Sequence, residues 1–350
     1  MINGLLEQVR LSGCSDLHIA CGQPPVVRRN GFLDRLQQEP YTDAQVRQIA
    51  QDMLDKSNIH TDFTKQDIDF GYETPDGARH RVNIFRQSGT VGIAIRLLQS
   101  GVPTIDQLAL PNSLREIATL PRGLVLVTGP TGSGKSTTLA AMIDEINEKR
   151  NAHILTLEDP IEYVHQSKCS LVNQREVGKD VDSFASALRS ALREDPDVIL
   201  VGEMRDLETI SAAITAAETG HLVLSTLHTT GAAKTIDRII DVFPPHQQQQ
   251  VRTQLATVLQ AVITQTLLPR ADATGRVPAF EIMMVNDAIA NMIREGKTFQ
   301  IGSVLQTSGK AGMISLDMYL ARLVKDSIIS MDEALGRAVS REELRRYATI

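Results

Sequence analysis

The segment from residue 124 to residue 146 constrains the fold of this chain more than any other. An apolar run, Leu124–Thr128, is typical of a buried strand, and residues 137–146 are typical of a helix. Between them lies the pattern G-x(4)-G-K-[ST], whose glycines let successive backbone N–H groups point at one anion. The helix adds the positive end of its dipole. This order predicts a phosphate-binding loop (P-loop), Gly129–Ser136, in an α/β domain.

Each position of the P-loop has an expected role in holding a nucleoside triphosphate. Lys135 is expected to reach the β- and γ-phosphates, and the hydroxyl of Ser136 is expected to bind Mg²⁺. We therefore expect ATP and Mg²⁺ as ligands. The loop alone leaves the reaction open, because switch proteins and kinases share it. The other expected phosphate-binding residues are Gly129, Thr131, Gly132, Ser133, Gly134 and Thr137.

Polar side chains follow three further apolar runs, which predict strands of a parallel sheet. These runs are Ile154–Leu157, Val198–Val201 and Leu222–Thr226. Glu158, Glu203 and His228 follow them, and the carboxyl ends of parallel strands meet at the ligand crevice. ATP hydrolysis needs one carboxylate to activate water and another on the Mg²⁺ side. We favour Glu158 for water and Glu203, acting through a water molecule, for Mg²⁺; the reverse assignment stays open. His228 is placed to sense the γ-phosphate.

The chain before this core predicts a separate, small α+β domain over residues 1–98. It holds short alternating runs, the turn dipeptide Asn30-Gly31 and a helix that Thr42 caps and that ends near Lys56. Two prolines and a glycine indicate a linker at residues 99–112. Residues 113–350 then form the P-loop domain, which we expect to become mostly helical from about residue 270.

Composition argues against several classes of protein. A net charge of −6, 4% aromatic residues and no Trp disfavour a protein built to hold nucleic acid. Cys14, Cys21 and Cys169 have no CxxC spacing, which indicates reduced cytoplasmic thiols. The N-terminus lacks the apolar core of a signal peptide. No apolar run approaches the roughly 18 residues of a membrane span, so we expect no membrane insertion.

These motifs together resemble the type II/type IV secretion ATPase superfamily. The P-loop, acidic box, Walker B box and histidine box of the superfamily match residues 129–136, 156–162, 198–203 and 221–229, and residues 172–178 and 192–197 also look like family signatures. The resemblance implies a RecA-like P-loop ATPase core with a helical C-terminal part, preceded by a PAS-like N-terminal domain. It also implies a ring-shaped homohexamer that hydrolyses ATP.

In such a ring, an arginine of the N-terminal domain can stabilise charge on the γ-phosphate during the reaction. The resemblance makes Arg81 and Arg96 our preferred candidates, with Arg86 as a third. Inside the core, Arg189, Arg193 and Arg205 are alternatives.

Within the superfamily, the chain is most similar to the branch that retracts type IV pili. The four-cysteine module and longer N-terminal region of the extension and secretion branches are missing. Ala288–Lys297 resembles the retraction motif AIRNLIREGK, with Ala290 for Arg and Met292 for Leu. The resemblance implies a motor for pilin disassembly and twitching motility at the cytoplasmic face of the inner membrane. Its implied partners are a platform protein of that membrane and a paralogous retraction ATPase. A RecA-like nucleic-acid translocase, an extension or secretion ATPase and a scaffold that binds ATP without hydrolysis are the alternatives.

Overall fold

Two sheets organise the computed structural model, which describes residues 2–29, 32–98, 101–273, 275–307, 309 and 312–349. Contacts divide the chain into a first unit, Met1–Gly101 with Pro160–Val164, and a second unit, Val102–Asp159 with His165–Ile350. Within the described ranges, no helix is both long enough and apolar enough to cross a bilayer. The Asn30-Gly31 turn and the first two residues of the predicted linker lie outside the described residues.

The first unit is an α+β domain with one antiparallel sheet. Its elements are α1 (Ile2–Leu11), β1 (Asp16–Ala20), β2 (Val26–Arg29), β3 (Phe32–Arg35), α2 (Asp43–Lys56), β4 (Ile68–Glu73), β5 (Arg79–Gln87) and β6 (Thr90–Leu97). The strands lie in the order β3-β2-β1-β6-β5-β4. As predicted, Thr42 caps α2, through a capping box with Gln45. Apolar residues of both helices and of the strands share one core.

The second unit is built on a sheet of seven strands. They are β7 (Gly123–Thr128), β8 (His153–Glu158), β9 (Leu171–Glu176), β10 (Val198–Val201), β11 (Leu222–Leu227), β12 (Leu259–Pro269) and β13 (Arg276–Met284). The order is β13-β12-β7-β11-β10-β8-β9, and only the β12–β13 pair is antiparallel. This order puts the carboxyl ends of the four predicted strands at one edge.

Helices cover both faces of this sheet. They are α3 (Ser113–Ala118), α4 (Lys135–Lys149), α5 (Phe184–Ala191), α6 (Leu207–Glu218), α7 (Ala232–Asp241), α8 (Pro245–Val258), α9 (Asp287–Arg294), α10 (Ile301–Thr307), α11 (Leu316–Lys325), α12 (Met331–Arg337) and α13 (Arg341–Thr349). Residues of β7 alternate between two cores: Leu124 and Leu126 join one, and Val125 and Val127 join the other. A strand buried on both faces explains its continuous apolar run.

The chain becomes mostly helical later than the expected start near residue 270. β13 occupies Arg276–Met284, and the C-terminal helices begin only at Asp287. Ala, Glu and Met in this run favour a helix, and a short apolar run has no decisive periodicity. Nine residue pairs with β12 override that local preference.

Most of the predicted linker groups with the second unit. Residues 102–112 belong to it, and Ile105 and Leu110 are buried in its core beside Leu114 of α3. The prolines and the glycine of this stretch indicated a linker, but composition alone did not show that two of its apolar residues are buried in the core.

Candidate nucleotide-binding and catalytic site

The P-loop joins β7 to α4, as its pattern predicts. Gly134 caps α4 in the left-handed conformation, with φ 89°, and Lys135, Ser136 and Thr137 form the first turn. The ammonium group of Lys135 donates to the carbonyl oxygens of Gly129 (2.9 Å) and Pro130 (3.1 Å). The lysine is thereby folded over its own loop and largely buried.

The neighbouring strand β12 supports the loop from one side. The hydroxyl groups of Thr128 and Thr264 lie 2.9 Å apart, and Thr138 of α4 donates to Oε1 of Gln265 at 2.7 Å. A Cβ atom on Gly129 would lie 2.2 Å from the carbonyl oxygen of Gln265, and one on Gly134 would lie 2.9 Å from its Nε2. The backbone contact therefore requires glycine at position 129, whereas at position 134 the positive φ of 89° favours glycine, because the end of the Gln265 side chain can move aside.

The loop has the features of an anion cradle. Ser133 Oγ is buried and has no hydrogen-bond partner within the described part of the chain. Such an orphaned donor, next to a lysine whose ammonium group donates to carbonyl oxygens of the loop, suits a phosphate group. The residues present therefore fit a nucleotide phosphate chain.

The ends of β10 and β11 bring two of the predicted residues together. Oε1 of Glu203 lies 3.1 Å from Nε2 of His228 and 2.5 Å from Nε of Arg205. Nδ1 of His228 in turn lies 3.4 Å from the hydroxyl of Thr131. A line of polar contacts thus runs from the P-loop through His228 to Glu203.

Backbone contacts fix the position of Glu203. The amide of Gly202 donates to Leu157 O on β8 (2.8 Å), and Thr226 Oγ1 on β11 donates to Gly202 O (2.6 Å). Partial burial acts to raise the pKa of Glu203, but the hydrogen bond and charge of Arg205, helped by His228, hold it below its usual value. Glu203 is therefore an ionised carboxylate that contacts two basic side chains, Arg205 and His228.

Glu158, at the end of β8, accepts hydrogen bonds from a hydroxyl and an amide group. Its Oε1 accepts hydrogen bonds from Thr156 Oγ1 at 2.7 Å and from Gln174 Nε2 at 3.0 Å. The two predicted carboxylates thus lie at the ends of adjacent strands in chemically different surroundings.

The two preferred arginines lie in the first unit, on adjacent strands. Arg81 of β5 and Arg96 of β6 are direct partners in the sheet. Arg81 pairs with Asp69 at 2.5 Å, and Arg96 pairs with Asp16 at 3.1 Å. Arg86, the third candidate, donates to Thr64 O at 2.9 Å. Arg81 and Arg96 therefore form one cationic pair, each held by an aspartate.

The chain is similar to members of one protein family over most of its length. The model of the family "Type II/IV secretion system protein" matches residues 1–316. The chain belongs to this family. It is 51% identical to the type IV pilus retraction ATPase PilT of Pseudomonas aeruginosa, covering 96% of this chain and 98% of that protein. It is 50% identical to a twitching motility protein of Neisseria gonorrhoeae, covering 91% and 86%.

A solved structure has the same fold as this chain over nearly the full length of both proteins. It is a crystal structure of the pilus retraction motor PilT with bound ADP, with a TM-score of 0.91 and 44% identity, covering 99% of each chain. The α/β core with a preceding α+β domain is therefore a fold that this family member shares with a nucleotide-bound relative.

Sequence reasoning missed the supporting residues of this family member. Gln265 and Thr264 on β12 support the P-loop, and their signal was the polar run Thr264–Thr266, which interrupts the apolar residues of the strand. A buried polar side chain needs a partner, so this interruption pointed to one. Gln174 was noted only as part of a family signature. Ala290 of α9, where the retraction motif has Arg, is buried in the hydrophobic core of the second unit.

Proposed function

We propose that this chain is an ATP-hydrolysing motor that drives retraction of type IV pili. The observation that carries the proposal is the line of contacts from Thr131 through His228 to Glu203, because it joins the phosphate loop to an ionised carboxylate. Relatives about half identical over nearly the whole chain are named for pilus retraction and twitching motility, which supports the choice of pilus retraction.

The P-loop would hold the triphosphate through its backbone N–H groups and Lys135. Lys135 would exchange the carbonyl oxygens of Gly129 and Pro130 for oxygens of the β- and γ-phosphates. Ser136, with Glu203 through a water molecule, would hold Mg²⁺, which neutralises charge on those phosphates. Ser133 Oγ would gain the partner that it lacks among the described residues.

The two carboxylates would divide the remaining work. A carboxylate whose pKa is held low is a weak base, which disfavours Glu203 as the group that activates water. Glu158 lies at the end of the adjacent strand, where a hydroxyl and an amide group donate to its carboxylate, so we assign water activation to Glu158. His228, touching both Thr131 and Glu203, would sense the γ-phosphate.

The proposal extends to the assembly. The chain would work as a homohexamer at the cytoplasmic face of the inner membrane, against a platform protein and beside a paralogous ATPase. Arg81 and Arg96 would act in trans on the γ-phosphate of a neighbouring subunit. Their aspartate partners support this role, because they keep both guanidinium groups oriented before that contact forms.

A pair of lysine variants on α4 tests the ATPase. Lys135→Ala should abolish steady-state phosphate release, because it removes the charge that contacts the transferred phosphate. Lys149→Ala, at the other end of the helix and paired with Glu145, is the matched control and should keep full activity. Equal rates for Lys135→Ala and the wild type would refute the proposal.

A further inference from the structure

Gln174 lies beside the carboxylate that we assign to water activation. It is on β9, directly opposite Thr156 of β8 in the parallel register. Thr156 Oγ1 and Gln174 Nε2 both donate to Oε1 of Glu158, at 2.7 Å and 3.0 Å. Because Thr156 is fully buried, its hydroxyl is a fixed donor, and Gln174 supplies the second point that orients the carboxylate.

The orientation of the Gln174 amide is determined by its second partner. Its Oε1 accepts a hydrogen bond from the backbone N–H of His165 at 2.7 Å. A backbone N–H can only donate and an ionised carboxylate can only accept, so the amide oxygen faces His165 and the NH₂ group faces Glu158. A glutamate at this position could satisfy His165 but not Glu158.

His165 is the point at which the chain returns to the second unit. Pro160–Val164 group with the first unit, while Glu158 lies before this excursion and His165 follows it. Helix α4 holds the residues after His165: Asn147 donates to Gln166 O (2.8 Å) and accepts from the amide of Lys168 (3.0 Å). Gln174 therefore joins Glu158 to a segment that the P-loop helix anchors.

We propose that Gln174 is a positioning residue for Glu158, holding its carboxylate in the orientation that water activation requires. The inference rests on the proposed function. A group that activates water is effective only when its supporting hydrogen bonds keep it in the productive geometry. Gln174 achieves this through two hydrogen bonds, one to the carboxylate and one to the anchored backbone at His165.

Two variants of Gln174 test the proposal in the full-length protein. Gln174→Leu removes both hydrogen bonds, and Gln174→Glu keeps the acceptor for His165 but places a second carboxylate against Glu158. Both should lower kcat about tenfold or more and leave the KM for ATP nearly unchanged. Asn173→Ala is the matched control: Asn173 is the exposed neighbour on β9, 3.2 Å from His153, and its loss should not change kcat.

A double-mutant cycle separates positioning from a general structural role. Gln174→Leu should add no further loss in the Glu158→Gln background, measured by single-turnover hydrolysis, because its effect passes through Glu158. Equal losses in both backgrounds, or an unchanged kcat in both Gln174 variants, would overturn the inference. If Gln174→Leu does not fold, the same kcat measurement and the same double-mutant cycle are carried out with Gln174→Glu, and their results decide between the two roles. Failure of the proposed function looks different, since Lys135→Ala would then retain wild-type hydrolysis.

Discussion

Nε2 of His228 lies 3.1 Å from Oε1 of Glu203, while Nδ1 of the same ring lies 3.4 Å from the hydroxyl of Thr131. One imidazole thus touches the carboxylate at the end of β10 and the loop that follows β7. Since β11 lies between these two strands, its carboxyl end is the natural place for such a bridge.

Loss of this bridge should slow hydrolysis. We expect His228→Ala to reduce kcat on the order of 100-fold with ATP binding retained, because a polar group near the developing charge is lost. His221→Ala is the control, since His221 precedes the same strand and contacts Ala216 O instead. Phosphate release and nucleotide titration measure the two effects. Equal kcat values for the two histidine variants would contradict the role of His228.

The pKa of Glu203 should respond to Arg205. Arg205 holds that pKa down against the effect of burial, so Arg205→Ala should raise it. More Glu203 is then protonated at a given pH, and the acid limb of the kcat profile should move to higher pH. Because the Arg205 side chain is 77% exposed, solvent screens its charge and we expect this movement to be small. Arg189→Ala, which loses an exposed pair with Glu208, should leave the limb in place. A shift to lower pH in Arg205→Ala would refute this account.

Two glycines of the P-loop should differ in their tolerance of alanine. Gly129 and Gly132 both have positive φ, but only a Cβ on Gly129 meets other atoms, 2.2 Å from Gln265 O. We expect Gly129→Ala to lower the free energy of unfolding by about 3 kcal/mol or more, and Gly132→Ala by about 1 kcal/mol. Urea unfolding measures both. Similar losses would show that contact with β12 does not determine the need for glycine.

Stability should fall in mild acid because of His165. Burial lowers the pKa of His165 from 6.5 to about 4, against a smaller opposing effect of Asp144. Between these values the unfolded chain binds more protons, so stability present at pH 7 is lost as the pH falls. The expected loss from this group is about 2 kcal/mol between pH 7 and pH 5.

The variant His165→Leu isolates this contribution. It should unfold in urea with a smaller difference between pH 7 and pH 5 than the wild type. Burial also lowers the pKa of His80 in the first unit, so His80 contributes to the loss of stability in acid as well. Comparing the variant with the wild type separates the contribution of His165 from that of His80. An unchanged pH dependence would show that His165 titrates normally.

Much of the fold could be predicted from local patterns. The strands that end at the P-loop, Glu158, Glu203 and His228 were predicted to within one residue at each end, because strands buried on both faces leave uninterrupted apolar runs. The cap at Thr42 was also predicted, since its capping box is local in sequence.

The remainder depends on contacts that are distant in sequence. β13 was missed because its pairing with β12 determines its conformation. Gln265 and Thr138 are hydrogen-bonded although they lie 127 residues apart in sequence, and no local pattern predicts such a contact. The different surroundings of Glu158 and Glu203 likewise arise from β9 and from Arg205, which sequence order alone does not bring to them.

The most direct test of the account follows labelled pili on living cells whose only copy of this chain carries Lys135→Ala, with Lys149→Ala as the control. The account predicts that Lys135→Ala cells extend pili that grow long and do not retract, and that they lose twitching motility, while control cells retract normally. Normal retraction in Lys135→Ala cells would contradict the motor, and bald cells would indicate a function in pilus extension instead.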